Sequence, residues 1–381
     1  MKIYRAIQEL SHDIGRFRET LTAGSAERWA GLCGFDGFVD SFIRMNRPAS
    51  MAEFGPKVAQ AAGIAASYSV THEGDRFGGN GPLFVSALHD LFGGHIDLRY
   101  AGGVGADEME PLFAEALEPR LTAVYPMAPP AQTDCLEFTD GKVMLNDFGP
   151  CGEITLSRLI EVMGEAEYQR VVDDADFFVA VNWGKLPNVG DIWADIANRR
   201  AAGPQAGTRV PFFMDLAEFE HRSSSDVQQL LSLLPRVTEV FSSILSFNLK
   251  EAWQMGDVFG GDFGGKKDPD DVAQLAAFLK DHIAVDRIVI HPNSGAACAS
   301  SEGLVYVPGP YCESPLISTG AGDNFGAGCL AGHLLGLDDS GMLLTGNAAS
   351  GFYVRTGRSA SFSDLAALID QWRTGTLPER L

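Results

Sequence analysis

The chain has 381 residues, 45% of them hydrophobic and 21% charged, enough apolar content to bury the core of one large domain with or without a small appendage. A formal net charge of −21 argues against nucleic acid or an anionic membrane as partner. No apolar run approaches the roughly 20 residues of a membrane span, the opening MKIYRAIQELSHD lacks the apolar stretch of a secretory leader, and six cysteines without paired CxxC spacing read as buried, reduced thiols of a cytoplasmic protein.

In chain order, residues 1 to about 22 place Ile3, Ile7, Leu10, Ile14, Phe17 and Leu21 at alternating steps of four and three. That spacing predicts an amphipathic helix within an N-terminal extension over 1–30. The seam is expected to dock on its own domain, with a homodimer contact as the alternative. From Gly31 short apolar runs alternate with helical patterns. Strands are expected over 31–40, 96–103, 176–183, 210–216, 239–248, 286–292 and 303–309. Helices are expected over 82–92, 108–117, 156–168, 191–200, 225–234, 270–283 and 323–336. This alternation predicts a layered α/β fold with a mostly parallel sheet, which takes its ligands beyond the carboxyl ends of the strands. Several runs end there in polar or glycine-rich tips, among them GFDGFVD, AGGVGAD, NWGKLP, SFNLKEA and HPNSG. Segments 41–77 and 122–150 break the alternation. The second contains TDCLEFTDGKVMLNDFGP, whose strand-like runs flank Asp140 and Gly141 and predict a projecting hairpin. GDVFGGDFGGKKDP, over 256–269, reads as a surface connection.

The stretch STGAGDNFGAGCLAGHLLG, residues 318–336, opens a helix with Gly320, Ala321 and Gly322. Backbone N–H groups at such a start attract an anion, yet Asp323 adds a carboxylate in their midst. Either Asp323 caps the helix, or it is a general base beside a phosphoryl group held on the amides.

GAGDNFGAG resembles the C-terminal signature of the ribokinase-like (PfkB) carbohydrate kinases, and further matches run in that family's order over most of 31–360. GFDGFVD resembles the family's first strand, DRFGGNGPLFVSAL its GG segment, AGGVGAD its next strand and turn, SFNLKEA its N-x-x-E element, and HPNSGAACASSEGLVYVPGP its nucleotide-side loop and hairpin. The resemblance implies a three-layer αβα sandwich with a mostly parallel central sheet and a small β-sheet lid, supplied by segments 41–77 and 122–150 of a kinase domain over 31–381. It further implies ATP-dependent, Mg2+-requiring phosphoryl transfer to a hydroxyl of a sugar or sugar-like molecule. Asp323 is then the base, and Gly320, Ala321 and Gly322 form the anion hole. Glu251 organises magnesium through water together with Asn248, which also stands on the nucleotide side. Locally that pair reads equally well as a helix cap with Glu at its third position. The nucleotide is expected against Ser294, Gly295 and Asn347, and the acceptor against Asp36, Asp40, Gly78, Gly79 and Asn80.

Two motifs depart from the family pattern. Leu83 stands where an Asn usually follows the GG segment, and Ile317 and Ser318 replace an Asp-Thr pair, which weakens the expectation of a monovalent-cation site. The acceptor therefore stays open, with a nucleoside as an alternative. Two other readings are a non-catalytic sugar or nucleotide sensor of the same fold and a dinucleotide-binding oxidoreductase, suggested by the GxGxxxG spacing. CESPLIST is a poor strand to precede a dinucleotide fingerprint, and no GxxxxGK[ST] P-loop occurs.

Overall fold

The computed structural model describes residues 1–23 and 28–381. Its strands are β1 Lys2–Ile3, β2 Trp29–Phe35, β3 Phe38–Arg47, β4 Ser69–Gly78, β5 Ile96–Gly102, β6 Ala123–Pro126, β7 Ala131–Phe138, β8 Gly141–Asp147, β9 Phe177–Ala180, β10 Pro211–Asp215, β11 Ser242–Phe247, β12 Arg287–Ile290, β13 Gly295–Ser300 and β14 Gly303–Pro308. Ten of them form one sheet in the order β1-β14-β13-β12-β11-β10-β9-β2-β5-β6, parallel except where β13 runs against β12 and β14.

Both faces of this sheet are covered, and for that reason its strands read as continuous apolar runs rather than alternating ones. Phe178 and Ala180 of β9 enter one core with Phe212 and Met214 of β10. Phe177, Val179 and Phe213 enter the other. Helices Val189–Ala202, Ser224–Val240 and Pro269–His282 pack on the first face, and Asn80–Phe92, Ala321–Leu334, Asp339–Thr356 and Phe362–Thr374 on the second. The result is a three-layer αβα sandwich. Among the described residues no helix is long and apolar enough to cross a membrane. The six cysteines are free, five of them buried and Cys312 half-buried.

A second sheet, β4-β3-β7-β8, stands apart from the first. It grows from the chain at Asp36 and Gly37, the only residues between β2 in the large sheet and β3 in the small one. The sequence predicts one strand over 31–40. The chain divides it instead, because a Cβ at Gly37 would lie 1.9 Å from the Gly103 carbonyl oxygen, so the strand can turn here only through glycine. The expected hairpin is β7 and β8, paired from Gln132↔Asp147 to Phe138↔Gly141.

The N-terminal residues depart from the predicted single helix. Ile3 lies in β1, which adds to the sheet edge beside β14; a 3₁₀ turn follows at Ile7–Leu10, and the helix proper is Ser11–Ala23. Ile7, Leu10, Ile14 and Phe17 are buried in the second core, with Phe17 edge-on to Phe362 at 6.4 Å. Residues 24–27 of the expected 1–30 extension lie outside the described residues.

Candidate active site

Asp36 is 1% exposed and is gripped from three sides. The Asn80 amide N–H donates to Oδ2 at 2.8 Å, the Gly81 amide to Oδ1 at 2.7 Å, and Asn182 Nδ2 to Oδ2 at 2.6 Å. Two of these donors are first-turn N–H groups of the Asn80–Phe92 helix, which have no intrahelical partner. Asn80 then reaches onward, and its Nδ2 donates to Asp323 Oδ1 at 2.8 Å. The expected acceptor residue Asp36 and the expected base are thus bridged by one residue, Asn80, through its backbone to the first and its side chain to the second. Gly78 and Gly79 fit the same cluster closely. A Cβ on Gly78 would lie 2.5 Å from Asp40 Oδ2, and one on Gly79, whose φ is 98°, would lie 3.1 Å from Gly37 Cα.

Asp323 is the third residue of the Ala321–Leu334 helix. The N-cap is Gly320, in the left-handed conformation with φ 90°, and no side chain caps the helix. The capping alternative for Asp323 is therefore not what its side chain does. Only glycine fits at position 320, because a Cβ would sit 2.8 Å from the Tyr353 hydroxyl oxygen and 3.2 Å from Leu83 Cδ1. Ala321 N–H donates to Ser318 O at 3.2 Å, a bond that has to open before this amide can serve an anion. From β8 of the small sheet, Lys142 Nζ donates to Thr319 Oγ1 at 3.3 Å and so brings a cation to the same turn.

On the strand side, Asn248 and Glu251 form a capping box at the start of the Leu249–Val258 helix, the cap arrangement that the sequence left open. Asn248 N–H donates to Glu251 Oε2 at 3.0 Å, and Glu251 N–H to Asn248 Oδ1 at 3.0 Å. Glu251 is nevertheless buried and faces other carboxylates. Burial, then Asp215, Glu218 and Asp323, push its carboxyl well above the usual range. Asp323 is raised by burial and by Asp215 and Asp36, against the pull of the Asn80 hydrogen bond. Burial also raises Asp36, Asp40 and Asp215. Like charges brought together out of water disfavour ionisation, so this cluster favours a cation.

A cavity of about 480 Å³ opens beside the helix start, lined by Asn248, His291, Gly309, Ala321, Gly322 and Asn347 among others. A neighbouring cavity of about 890 Å³ shares Asn248 and His291 and includes Ser294. Asn347 holds the wall, its Nδ2 donating to Val307 O and Pro308 O at 3.1 Å each. Gly295 lines neither cavity. It lies in β13, where a Cβ would come within 2.5 Å of Val307 O and the Tyr306 hydroxyl oxygen. Sequence reasoning missed Asn182, Asp215, Lys142 and His291. Asn182 opens the tip NWGKLP with φ 64°, and only its polar position after an apolar strand signals it.

A carboxylate beside an anion-attracting helix start, with buried Asp36 and Asp40 on one side and a cavity on the other, suits phosphoryl transfer. A family model described as prokaryotic ketohexokinase matches residues 25–372. The chain belongs to this family of ribokinase-like carbohydrate kinases. It is a carbohydrate kinase. A ketohexokinase of Haloferax volcanii is 26% identical over 353 residues, covering 88% of this chain and 89% of the relative. Arabidopsis thaliana ribokinase, solved with ribose and ATP, superposes with a TM-score of 0.63 at 17% identity, covering 90% of this chain and 99% of that one. An E. coli protein described as ribokinase II, solved with ATP and Mg2+, gives 0.61 at 15% identity, covering 91% and 99%. At these identities the solved structures are alike in fold, a mostly parallel sheet between helices with a small separate sheet beside it.

Proposed function

We propose that the protein transfers the terminal phosphoryl group of ATP to a hydroxyl of a ketohexose, with Asp323 as general base. The reading is supported by the family model and by the Haloferax relative, and one observation carries the mechanism: Asn80 bridges the acceptor cluster to Asp323 at 2.8 Å. Asp36 and Asp40 accept hydrogen bonds from sugar hydroxyls, and Asn182, whose buried Oδ1 has no partner, offers a further acceptor. An oriented hydroxyl then loses its proton to Asp323. An ordinary Asp, with a pKa near 3.9, is a weak base for an alcohol; the raised carboxyl of Asp323 accepts a proton more readily. Amides from Gly320 to Asp323 stabilise charge on the transferred group, and Lys142 adds a positive charge from the lid. The nucleotide occupies the cavity beside Asn347 and Asn248, next to Ser294.

The residues present fit magnesium arriving with ATP. Glu251 and Asp215 supply hard oxygen donors whose ionised forms lack a counter-charge, and among the described residues no three His, Cys, Asp or Glu side chains make a metal site by themselves. Magnesium characteristically keeps waters and phosphate oxygens as ligands; here Glu251, Asp215 and Asn248 would hold it through water, and it would neutralise phosphate charge.

The test is ADP release measured over ketohexoses, aldohexoses, pentoses and nucleosides. D-fructose or a related ketohexose should exceed ribose and nucleosides in kcat/KM by at least about tenfold, the discrimination that a few hydrogen bonds to hydroxyls supply. A preference for a pentose or nucleoside, or ADP release indifferent to acceptor, would overturn the assignment.

A further inference from the structure

The wall of the 480 Å³ cavity between Gly309 and Pro315 belongs to no helix or strand, although Pro310, Tyr311, Cys312 and Glu313 all line the cavity. Its position is fixed from behind. Arg355, 3% exposed in the last turn of the Asp339–Thr356 helix, donates through Nη1 to Pro310 O at 2.8 Å and through Nη2 to Tyr311 O at 2.7 Å. Its Nε donates to Pro378 O at 2.9 Å. The same guanidinium therefore ties the wall to the segment that follows the last helix. Glu379 of that segment completes the tie, since its Oε2 accepts from Glu313 N at 2.8 Å, Ser314 N at 3.1 Å and Cys312 Sγ at 3.2 Å. Pro310 is seated directly on the helix, where a Cβ at Gly351 would lie 2.3 Å from its ring.

We infer that residues 375–381 are a latch that holds one wall of the nucleotide cavity, with Arg355 and Glu379 as positioning residues for nucleotide binding. The inference rests on the reading of this cavity as the nucleotide site. Arg355 fixes the carbonyls of the wall and Glu379 fixes its amides. An irregular segment whose peptide groups are held on both sides has little freedom left to lose when ligand arrives. Release of the Glu379 contacts returns two amides to water and makes binding bear the cost of ordering the wall. Neither residue touches a reacting atom, so the consequence falls on nucleotide affinity and not on the chemical step.

Glu379 is exposed, so Glu379→Ala leaves the core intact. In the full chain this variant should raise KM for ATP about three- to tenfold, the range for a few partly screened charge-assisted hydrogen bonds. Its kcat and its KM for sugar should change less than about twofold, as expected when only ground-state nucleotide binding is lost. Glu379→Gln keeps an accepting oxygen and should recover part of the loss. ATP titration by calorimetry should show the same ranking. An unchanged ATP affinity in Glu379→Ala, or an equal rise in KM for both substrates, would overturn the latch. Wild-type protein that binds no ATP would remove the reading of the cavity and the latch with it.

Discussion

Asp323→Asn separates chemistry from architecture at the centre of the site. The substitution is isosteric and keeps an oxygen to accept from Asn80 Nδ2, now 2.8 Å from Asp323 Oδ1. It removes a carboxylate whose charged form is opposed by burial and by Asp215 and Asp36, so the melting temperature should hold or rise near neutral pH. Nucleotide affinity should also hold, since the amides of the helix start remain. Loss of a general base lowers kcat by about 10² to 10⁴. At about 1.36 kcal/mol per decade this is about 2.7 to 5.4 kcal/mol of barrier, far more than the loss of one neutral hydrogen bond, about 1 kcal/mol. Initial rates of ADP release at saturating sugar and ATP give kcat directly, with KM for both substrates expected within about threefold of wild type. The pH profile is a second readout. A base is inactive when protonated, so wild-type kcat/KM should fall as pH drops, with its acidic limb above the ordinary carboxylate range because the Asp323 pKa is raised. A variant that keeps more than about a tenth of wild-type kcat, where general-base loss costs two decades or more, would refute the reasoning.

Two further outcomes follow from burial. Burial and the neighbouring Asp215 push Glu251 up to about 8 from an ordinary 4.5, so the folded protein holds that proton more tightly than the unfolded chain. The resulting stability is fully present below 4.5 and is lost as pH rises through about 8. Without nucleotide, Glu251→Gln should therefore gain melting temperature relative to wild type between about pH 6 and about pH 9; a difference that does not vary with pH would contradict this. Phe17 is fully buried against Phe362, and Phe17→Ala should cost about 3–5 kcal/mol in a denaturant titration. A loss under about 1 kcal/mol, the scale of an ordinary surface change, would mean that the N-terminal seam is not docked in solution.

The sequence exposes elements whose burial is one-sided or strand-like and conceals those shaped by the rest of the fold. The parallel strands β9 to β12 are legible because FFVA and PFFMD are continuously apolar between polar tips. β4, SVTHEGDRFG, is not, since most of its side chains are exposed at the edge of the small sheet and carry no apolar alternation. β13, GAACAS, is legible only through the hairpin of the family resemblance, since its small residues give no strand pattern although it is buried from Gly295 to Ala299. The Ala321–Leu334 helix, expected over 323–336 from its glycine-led start, has no amphipathic stripe because both its faces are covered. Gly328 and Gly332 let it approach the Asp339–Thr356 helix, where added Cβ atoms would meet Thr345 O at 2.7 Å and Thr345 Oγ1 at 2.3 Å. Within the site, the glycines and Asp323 announce themselves through spacing. The Asn80 bridge and Asn182 do not, because each contact joins residues more than a hundred positions apart in sequence.

The two-residue exit from the large sheet has a consequence for how such enzymes can diversify. β3 leaves at Phe38 and β4 returns at Gly78, a register pair, and the flanking glycines 37 and 79 nearly touch. Everything between them is a cassette whose entry and exit coincide, so its replacement leaves the endpoints of the surrounding chain in place. The Asp36 carboxylate stays pinned outside that cassette by Asn80, Gly81 and Asn182. On the proposed reading, exchange of the 38–78 interval would alter the acceptor side, Asp40 included, while Asp36, Asn80 and Asp323 stay in place, as long as the new segment still pairs with β7.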